Sequence, residues 1–427
     1  MAKGDGFILI KGISMNILMI GELYRYGGAS EIMEVIARNL RNRGHKVVLV
    51  YGYNYKKQKI QEGTYILFEN KYIRTIHNRI EPLIERFDMS NFYTKKYIEN
   101  IIKKENIHII NLHAAQGGYI SIKDIAYFSK RYNIIWTIHD TWALTGGCMY
   151  YSDCHKWIQG NCFDCKEDAI YLRYKNPYKH YKRKKKKLIG KNILYVAPSQ
   201  WMLHNIKQSF LKKETAICIE NGINLNYFVP LKNKVELKNK HEISQDKYIL
   251  MFIAGNIENK YKGWNCLIEA LKRIKNHEQY ELLAVGEMND DLERLPLETK
   301  AMGFIEEKMV LNELYNIADV FIIPSIQDNF PTVTLEAQAA GVPVIAFPTG
   351  GIKEQVTNET GWVLSEISPI ELAETIDKIF IDTNVREVLN EKGNKARKRC
   401  EELYNENVMC EKYEKIYLGN MKNEKIK

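Results

Sequence analysis

Short apolar runs alternate with amphipathic segments along most of this chain of 427 residues. The first half contains the strand-like runs NILMI, KVVLV, IHIINL, IIWTI and NILYVA, and the second half contains YILMFIAG, YELLAVG, DVFIIPS and PVIAF. After the first run, Ile32, Val35, Ile36 and Leu40 recur at helical spacing, and Gly44 suits the end of that helix. Strands that alternate with amphipathic helices predict a parallel α/β architecture.

The strand-like runs stop near residues 219–230, where Asn221-Gly222 is a turn signal. Because a chain of this length exceeds what one compact core usually accommodates, we predict two α/β domains. We place the divisions at 1–14 for an N-terminal extension, 15–222 for the first domain, 223–400 for the second, and 401–427 for a C-terminal helix and polar tail. Ligands of open α/β sheets bind outside the carboxyl ends of the strands. Two such domains facing each other predict a cleft lined by the loops that follow strands.

Composition and hydropathy narrow the class of protein. Hydrophobic residues make up 45% of the chain and aromatic residues 11%, which is ordinary for a globular protein. No apolar run approaches the roughly 18 residues that a membrane-spanning helix needs. The start of the chain has only a short apolar stretch and no cleavage-site pattern, so it does not read as a secretory signal. We therefore expect a cytoplasmic protein whose thiols are reduced.

The net charge of +10 is concentrated in one segment. Residues 173–191 carry ten Lys and Arg, equal to the whole surplus, and no acidic residue lies between Asp168 and Glu214. The segment could contact a membrane, form a solvated helix face or bind nucleic acid. Because the chain has no nucleic-acid-binding motif, we rank nucleic acid lowest. We favour docking to an anionic membrane surface, where each basic residue adds about 1 kcal/mol of attraction.

Glycines and histidines follow predicted strands in the first domain. Gly27 and Gly28 precede a helix N-terminus, where backbone N–H groups and the helix dipole favour a phosphate or sugar oxygen. The spacing is not G-x-G-x-x-G, so a dinucleotide is disfavoured, and a tight turn without a ligand is the alternative. His113 follows IHIINL and His139-Asp140 follows IIWTI. Either histidine is a candidate to face a ligand, although a lone histidine is more often structural.

The second domain contains the most informative block, DVFIIPSIQDNFPTVTLEAQAAGVPVIAF. In it a strand is followed by a loop with Asp328 and then by a helix with Glu336. Carboxylates at such a junction suit sugars because each accepts hydrogen bonds from two vicinal hydroxyls. Earlier in the domain, Lys260 and Lys262-Gly263 lie between a strand and a helix. A cation there can neutralise a diphosphate leaving group, and an ordinary exposed lysine is the alternative.

These motifs together resemble the retaining glycosyltransferases of family 4. The resemblance extends from Met15 to the last helix and includes the Gly-Gly loop, the histidine after IIWTI, the segments APSQW and IENGIN, the Lys-Gly pair and the acidic block. The stretch HDTWALTGG and the block PSIQDNFPTVTLEA are similar to the branch that builds exopolysaccharide and capsule units, as in colanic acid synthesis. The resemblance implies the GT-B fold, in which two Rossmann-like domains face each other across a cleft.

The resemblance also implies a role for each candidate residue. Glu336 would bind the donor ribose and Lys262 the diphosphate, while Asp328 and His139 would lie near the transferred sugar. The further donor-binding positions are Gly27, Gly28, Asn256, Lys260, Ile305, Asn329, Phe330, Pro331 and Thr332. The chain departs from the family at two positions. Asp328 replaces the usual glutamate and is one methylene shorter, and Asn256 replaces the usual phosphate-binding arginine, a charge that only Lys260 could restore.

The implied reaction transfers a sugar with retention from a nucleotide-diphosphate sugar to a glycan acceptor. We expect the acceptor to be lipid-linked, and the enzyme to work on the inner face of the cell membrane. The fold needs no catalytic cofactor, because cations and helix dipoles stabilise the leaving diphosphate. Two other interpretations stay open. One is an epimerase-like enzyme that acts on sugar nucleotides, and the other is a non-catalytic protein that binds a membrane or nucleic acid through residues 173–191.

Half of the chain's eight cysteines lie in the stretch TGGCMYYSDCHKWIQGNCFDC. In a reduced compartment, Cys148, Cys154, Cys162 and Cys165 either bind a metal or are separate thiols. The C-x2-C pair is a normal zinc half-site, and the first two cysteines could complete four ligands. We therefore predict a structural zinc ion that orders the wall beside His139, with four unlinked thiols as the alternative.

Overall fold

The computed structural model describes residues 14–87, 89–163, 165, 176–287 and 295–422. The predicted N-terminal extension, apart from Ser14, therefore lies outside the described residues. Residues 173–175 of the basic segment and the end of the polar tail, residues 423–427, also lie outside them. Within the described ranges, no helix is both long enough and apolar enough to cross a bilayer.

The first half of the chain forms a parallel sheet of seven strands. The strands are β1 (Asn16–Leu23), β2 (Lys46–Tyr53), β3 (Thr64–Ile66), β4 (Ile109–Leu112), β5 (Asn133–Thr137), β6 (Ile193–Ala197) and β7 (Ala216–Cys218). They lie in the order β3-β2-β1-β4-β5-β6-β7, and every neighbouring pair is parallel. The central strands are apolar on both faces because helices cover both sides of a parallel sheet. Ile17, Leu18, Met19 and Ile20 of β1 are accordingly fully buried.

The second half forms a parallel sheet of six strands. These are β8 (Tyr248–Asn256), β9 (Tyr280–Glu287), β10 (Glu298–Ala301), β11 (Val320–Ile323), β12 (Val344–Ala346) and β13 (Gly361–Val363). Their order is β10-β9-β8-β11-β12-β13, again with parallel neighbours. Each half thus has the doubly wound α/β arrangement that alternating strands and helices predicted.

Fourteen helices lie among the described residues. Those of the first half are α1 (Gly28–Asn42), α2 (Lys71–Arg86), α3 (Phe92–Glu105), α4 (Ile122–Phe128), α5 (Pro177–Leu188) and α6 (Gln200–Gln208). Those that follow are α7 (Lys234–Lys240), α8 (Trp264–Leu271), α9 (Lys308–Ile317), α10 (Thr332–Ala339), α11 (Ile352–Gln355), α12 (Pro369–Phe380), α13 (Val385–Leu403) and α14 (Glu406–Lys422).

The last helix returns to the first half of the chain. Apolar residues of α14, including Met409 and Tyr417, share a core cluster with Ile17 and Ile32. Its polar groups also bind there: Asn111 donates to the hydroxyl of Tyr417 at 2.6 Å. The chain therefore crosses between the halves twice, and the helix that ends the described chain belongs structurally to the first sheet.

The strand order places one switch point in each sheet. In the first sheet β1 lies between β2 and β4, so the connections leave its two sides in opposite directions. In the second sheet β8 lies between β9 and β11 in the same way. Loops diverge at such points and leave a crevice at the carboxyl ends of the strands. The two crevices face each other, and this defines where a ligand can bind.

Candidate functional site

A cleft of about 720 Å³ lies between the carboxyl ends of the two sheets. Loops from both halves line it, as the two switch points require. The residues singled out from the sequence that line it are Gly27, Gly28, His113, His139, Asn256, Lys262, Asp328, Asn329, Phe330, Pro331 and Thr332. The tertiary structure thus brings together side chains that are up to 305 positions apart, from Gly27 to Thr332.

Gly27 and Gly28 form the turn from β1 into α1. Helix α1 begins at Gly28, and Gly27 has a φ of 84°, a conformation that glycine adopts without strain. A Cβ added at either glycine would meet no atom within 4 Å, so the space above the turn is open. The N-terminus of α1 therefore presents the positive end of its dipole to the cleft, as a phosphate or sugar oxygen requires.

His113 and His139 form a hydrogen-bonded pair at the ends of β4 and β5. Nδ1 of His113 lies 3.0 Å from Nε2 of His139, so one ring donates its N–H to the other. Burial lowers the pKa of His139 to about 4. Burial and the neighbouring ring lower the pKa of His113 well below its ordinary value. Both rings are therefore neutral at neutral pH, and His139 offers the cleft a hydrogen-bonding group without a positive charge.

Lys262 and Asp328 meet on the opposite wall. The Nζ of Lys262 lies 2.5 Å from Oδ2 of Asp328. Burial opposes the charge of Lys262, but Asp328 outweighs it, and the pKa of Lys262 is raised overall. The adjacent Gly263 has a φ of 77°, and a Cβ there would lie 1.7 Å from the carbonyl oxygen of Pro324. Only glycine allows this close approach, which brings the lysine loop against the loop after β11.

The loop after β11 also crosses to the first half through two amide side chains. Nδ2 of Asn329 donates to the carbonyl oxygens of Ile138, at 3.1 Å, and His139, at 3.0 Å. Oε1 of Gln327 accepts from the N–H groups of Tyr151, at 3.0 Å, and Ser152, at 2.6 Å. These bonds hold the backbone of His139 against the loop that carries Asp328. They therefore fix the distance between the two walls of the cleft.

Glu336 lies on α10 behind the cleft and does not contribute to its lining. Its carboxylate accepts from the hydroxyl of Tyr315 at 3.0 Å and is 3.5 Å from Nζ of Lys308. The same lysine lies 2.5 Å from the carboxylate of Glu31 on α1, so it bridges the two halves. Burial raises the pKa of Glu336, and the charge of Lys308 opposes that shift. The predicted ribose-binding carboxylate is therefore engaged with a cation that the sequence did not single out.

Two predicted donor-binding positions lie away from the cleft. Lys260 does not line it, and its ammonium lies 4.9 Å from the centre of the Tyr261 ring. Ile305 packs, half-buried, against the core of the second half, and it is the neighbouring Phe304 that lines the cleft. Asn256 does line the cleft, where its Oδ1 accepts from the N–H of Glu258 at 2.8 Å. Lys260 therefore does not restore at the lining the charge that Asn256 lacks.

Two of the four cysteines of the predicted zinc site lie close together. Sγ of Cys148 and Sγ of Cys165 are 4.0 Å apart. Within the part of the chain that the structure describes, no group of three or more His, Cys, Asp or Glu side chains is placed to hold a metal ion. Burial raises the pKa of Cys162 to about 11, and burial together with Cys165 and Cys162 also raises the pKa of Cys148. Because zinc binding itself releases protons from thiols, a structural zinc ion at Cys148, Cys154, Cys162 and Cys165 stays a prediction, with four unlinked thiols as the alternative.

Several residues at the site were not predicted. Glu22 and Glu81 line the first-half wall, next to Gly117 and Gly118. Glu22 belongs to the carboxyl end of β1, so the rule that found His113 could have found it. Glu81 lies within a helix, and Lys308 begins one, at positions where the sequence carries no local signal.

Two family models match this chain. Residues 26–227 match the model described as Glycosyltransferase Family 4, and residues 233–396 match the model described as Glycosyl transferases group 1. The chain is 30% identical over 236 residues to the capsular polysaccharide biosynthesis glycosyltransferase CapM of Staphylococcus aureus. That match covers 52% of this chain and 60% of CapM, less than two thirds of its length.

Two further similarities extend over most of the chain. It is 22% identical over 379 residues to the glycosyl transferase WcaC, which is assigned to colanic acid biosynthesis in Escherichia coli K12, covering 84% of this chain and 90% of that one. The structure superposes on Alr3699/HepE from Anabaena, solved in complex with UDP, with a TM-score of 0.69 and 15% identity. That superposition covers 95% of this chain and 100% of the other, and at this identity it concerns the fold alone.

Proposed function

Because the chain belongs to the glycosyltransferases of family 4 and group 1 and has their GT-B fold, we propose that it transfers a hexosyl residue with retention. The donor is a nucleoside-diphosphate sugar and the acceptor is a growing glycan of a capsular or related polysaccharide. One observation carries the proposal. A cation on the second half, Lys262, lies opposite a helix N-terminus and a neutral histidine of the first half, across a cleft of sugar-nucleotide size.

The second half would hold the donor. Lys262 and the N-terminus of α10 supply positive charge where the leaving diphosphate develops negative charge. Glu336 lies one layer behind, where it can accept hydrogen bonds from the ribose hydroxyls once the donor displaces part of its contact with Lys308. The nucleoside diphosphate is suggested by the UDP bound in the Alr3699/HepE structure.

The first half would complete the reaction centre. His139 donates or accepts a hydrogen bond at the transferred sugar. Its low pKa keeps the ring uncharged at neutral pH, so Lys262 and the helix N-termini supply the positive charge at the leaving group. In a retaining transfer without a protein nucleophile, the bond from the anomeric carbon to the phosphate oxygen breaks on one face. The acceptor oxygen bonds to that carbon on the same face, and its proton passes to the departing phosphate oxygen. Asn329 holds His139 in register for this step.

A lipid-linked acceptor would bring the enzyme to the membrane, and the basic segment supports this part of the proposal. Lys182, Lys185 and Lys186 on α5 are exposed and can face anionic lipid. The same helix is not basic on every side. Lys184 is buried, where its Nζ donates to the carbonyl oxygens of Trp142 and Thr145 and lies 3.7 Å from the centre of the Trp142 ring. Lys184, although it belongs to the basic segment, therefore stabilises the stretch from Trp142 to Thr145 that follows His139.

A panel of nucleoside-diphosphate sugars tests the proposal. Purified protein should hydrolyse one donor slowly and transfer its sugar faster when a glycan acceptor is present, with nuclear magnetic resonance showing the donor's anomeric configuration in the product. Lys262→Ala and Glu336→Gln should abolish transfer, whereas Lys272→Ala, an exposed lysine on the same half, serves as a matched control. Full activity in both site variants would overturn the assignment. Release of an isomerised sugar nucleotide without any acceptor would favour the epimerase alternative.

A further inference from the structure

Helix α2 carries a stripe of large apolar side chains that face outward. Tyr72, Ile76, Ile80, Leu83 and Phe87 follow one another at intervals of three or four residues, so they form a single ridge along the helix and its end. Their exposed fractions are 81, 58, 43, 48 and 62%. Beyond the helix, Met89 is 49% exposed and Phe92, the first residue of α3, is 69% exposed. Contiguous exposed apolar patches mark surfaces that contact a partner or a membrane.

The opposite face of α2 fixes the helix in this orientation. His77 is buried, stacks on Phe68 with ring centres 3.9 Å apart and lies 3.1 Å from the hydroxyl of Tyr53. One turn later, Glu81 is 1% exposed and lines the cleft. Because inward groups of this kind hold the helix to the body of the first half, the apolar ridge cannot turn inward without breaking them. The helix thus separates the cleft from the outer surface, with Glu81 on one side and the ridge on the other.

Cations flank the apolar ridge. Arg79 is exposed, and its neighbours along the helix surface are Ile76, three residues before it, and Leu83, four residues after it. Lys96 is exposed on α3, one turn after Phe92. Lys71 is exposed at the start of α2, beside Tyr72. A helix with apolar side chains beside basic ones binds anionic lipid interfaces, because the apolar groups enter the acyl boundary while the cations contact headgroups.

We propose that the outer ridge of α2, from Tyr72 to Phe87 and on to Phe92, inserts into an anionic lipid layer and so holds the cleft mouth at the membrane. The proposal rests on the proposed function for its purpose, since a lipid-linked acceptor would enter on the first-half side that Glu81 lines. It differs from docking through α5, whose exposed lysines offer charge without an adjacent apolar ridge. The charge pattern favours lipid over a second copy of the chain, because two copies would bring Arg79 and Lys71 of one ridge against those of the other.

Vesicle binding by the full chain tests the proposal without any sugar donor. We compare the protein with a double variant, Ile76→Ser with Leu83→Ser, on vesicles of phosphatidylglycerol and phosphatidylcholine and on phosphatidylcholine alone. The matched control is Ile370→Ser with Ile381→Ser, which removes two exposed isoleucines from the second half. Tyr72→Trp provides a fluorescence reporter on the ridge. Circular dichroism and thermal unfolding establish that each variant is folded.

The wild-type protein should bind the anionic vesicles, and high salt should weaken binding without abolishing it, because apolar insertion is not screened. The ridge variant should bind at least about tenfold more weakly, because two apolar side chains that would leave water for the lipid are replaced by polar ones. The isoleucine control should bind as the wild type does, and the Tyr72→Trp emission should shift to the blue on vesicles. Vesicle binding that is equal in the ridge variant overturns the proposal. So does a wild-type dimer in sedimentation that only the ridge variant loses, which would assign the surface to a second copy.

Discussion

The ammonium group of Lys262 lies 2.5 Å from the carboxylate of Asp328, so the two residues that the sequence assigned to separate parts of the donor form one ion pair. The pair joins the loop after β8 to the loop after β11. Asp328 therefore orients the lysine, and its side chain, one methylene shorter than glutamate, sets how far the cation reaches toward a diphosphate. In the proposed complex with a sugar nucleotide, the phosphate shares this cation with Asp328.

Removing Lys262 should lower kcat/KM far more than removing its partner. Lys262→Ala deletes charge that stabilises the leaving group, so we expect a loss of about 10²–10³ in kcat, as for other transition-state donors. Asp328→Asn keeps the cation but releases its orientation, so we expect a smaller loss that appears in KM as well. Steady-state kinetics with the preferred donor measure both. Asp328→Glu is the matched control for charge, and equal losses in the alanine and asparagine variants would contradict this ranking.

Lys308→Met should weaken donor binding through Glu336. Without the ammonium 3.5 Å away, the buried carboxylate loses its countercharge and its pKa rises further. A protonated carboxyl accepts fewer hydrogen bonds from ribose, so we expect the donor KM to rise about tenfold, in line with the 1.5–3 kcal/mol of charged hydrogen bonds. The defect should shrink as pH rises, because a higher pH favours the charged carboxylate. A pH-independent defect would point to packing alone.

The bridge from Lys308 to Glu31 should couple the two halves. Glu31→Gln removes the 2.5 Å contact across the cleft while leaving Glu336 its cation. If the bridge acts as a unit, the effects of Glu31→Gln and Lys308→Met on donor affinity should not add in a double-mutant cycle. Titration calorimetry with the nucleoside diphosphate measures all four corners. Strict additivity would show that Glu31 and Lys308 affect donor binding independently of each other.

His139 and Asp140 should give opposite pH dependences of stability. The pKa of His139 is lowered to about 4, so between pH 4 and its ordinary value near 6.5 the unfolded state binds more protons, and stability falls as pH falls. Burial raises the pKa of Asp140 to about 6, although the N–H of Trp142 and the charge of Lys184 oppose the shift. Between pH 4 and 6 the folded state therefore binds more protons at Asp140, and stability falls as pH rises.

The two slopes oppose each other over the same pH range, so single variants should separate them. Asp140→Asn should lose more stability on acidification from pH 6.5 to 4.5 than the wild type does, and His139→Gln should lose less. Urea midpoints measured at half-unit intervals provide the test. Identical slopes in all three proteins would show that neither group titrates differently on folding.

Tyr417→Phe should destabilise the attachment of α14 to the first half. The substitution leaves Nδ2 of Asn111 buried without its acceptor at 2.6 Å, which costs about 1–3 kcal/mol. The midpoint of urea unfolding should therefore fall, while Tyr227→Phe at an exposed position should leave it unchanged. An unchanged midpoint in Tyr417→Phe would mean that solvent replaces the tyrosine hydroxyl.

Much of the fold could be predicted because the strands and helices of a parallel α/β sheet each have a recognisable local pattern of apolar residues. The apolar runs that the sequence marked as strands all form strands of the two sheets, and most of their apolar residues are buried. The resemblance to family 4 glycosyltransferases and the GT-B fold is confirmed. The roles of individual site residues stay predictions, as do the domain limits and the lipid-linked acceptor.

The cysteine cluster shows what sequence spacing alone leaves open. Spacing such as C-x2-C limits which thiols can meet, but the path of residues 148–165 through the fold decides whether they do. That path places Cys148 and Cys165 4.0 Å apart, and among the described residues no group of three or more His, Cys, Asp or Glu side chains is placed to hold a metal ion. Position is decided in the same way for Lys260, which does not line the cleft, although Lys262, two residues later in the same short 3-10 helix, does.

The sequence by itself determined the alternation of strands and helices, the two halves, and the candidate groups at strand ends, because these depend on neighbours a few residues apart. Only the tertiary structure decided how those groups pair. The bridge from Glu31 through Lys308 to Glu336 and the carbonyl of His139 held by Asn329 join residues that are between 28 and 277 positions apart. Likewise, only packing showed that Lys184 turns inward while Ile76 and Leu83 turn outward, since a side chain's burial depends on what the rest of the chain places against it.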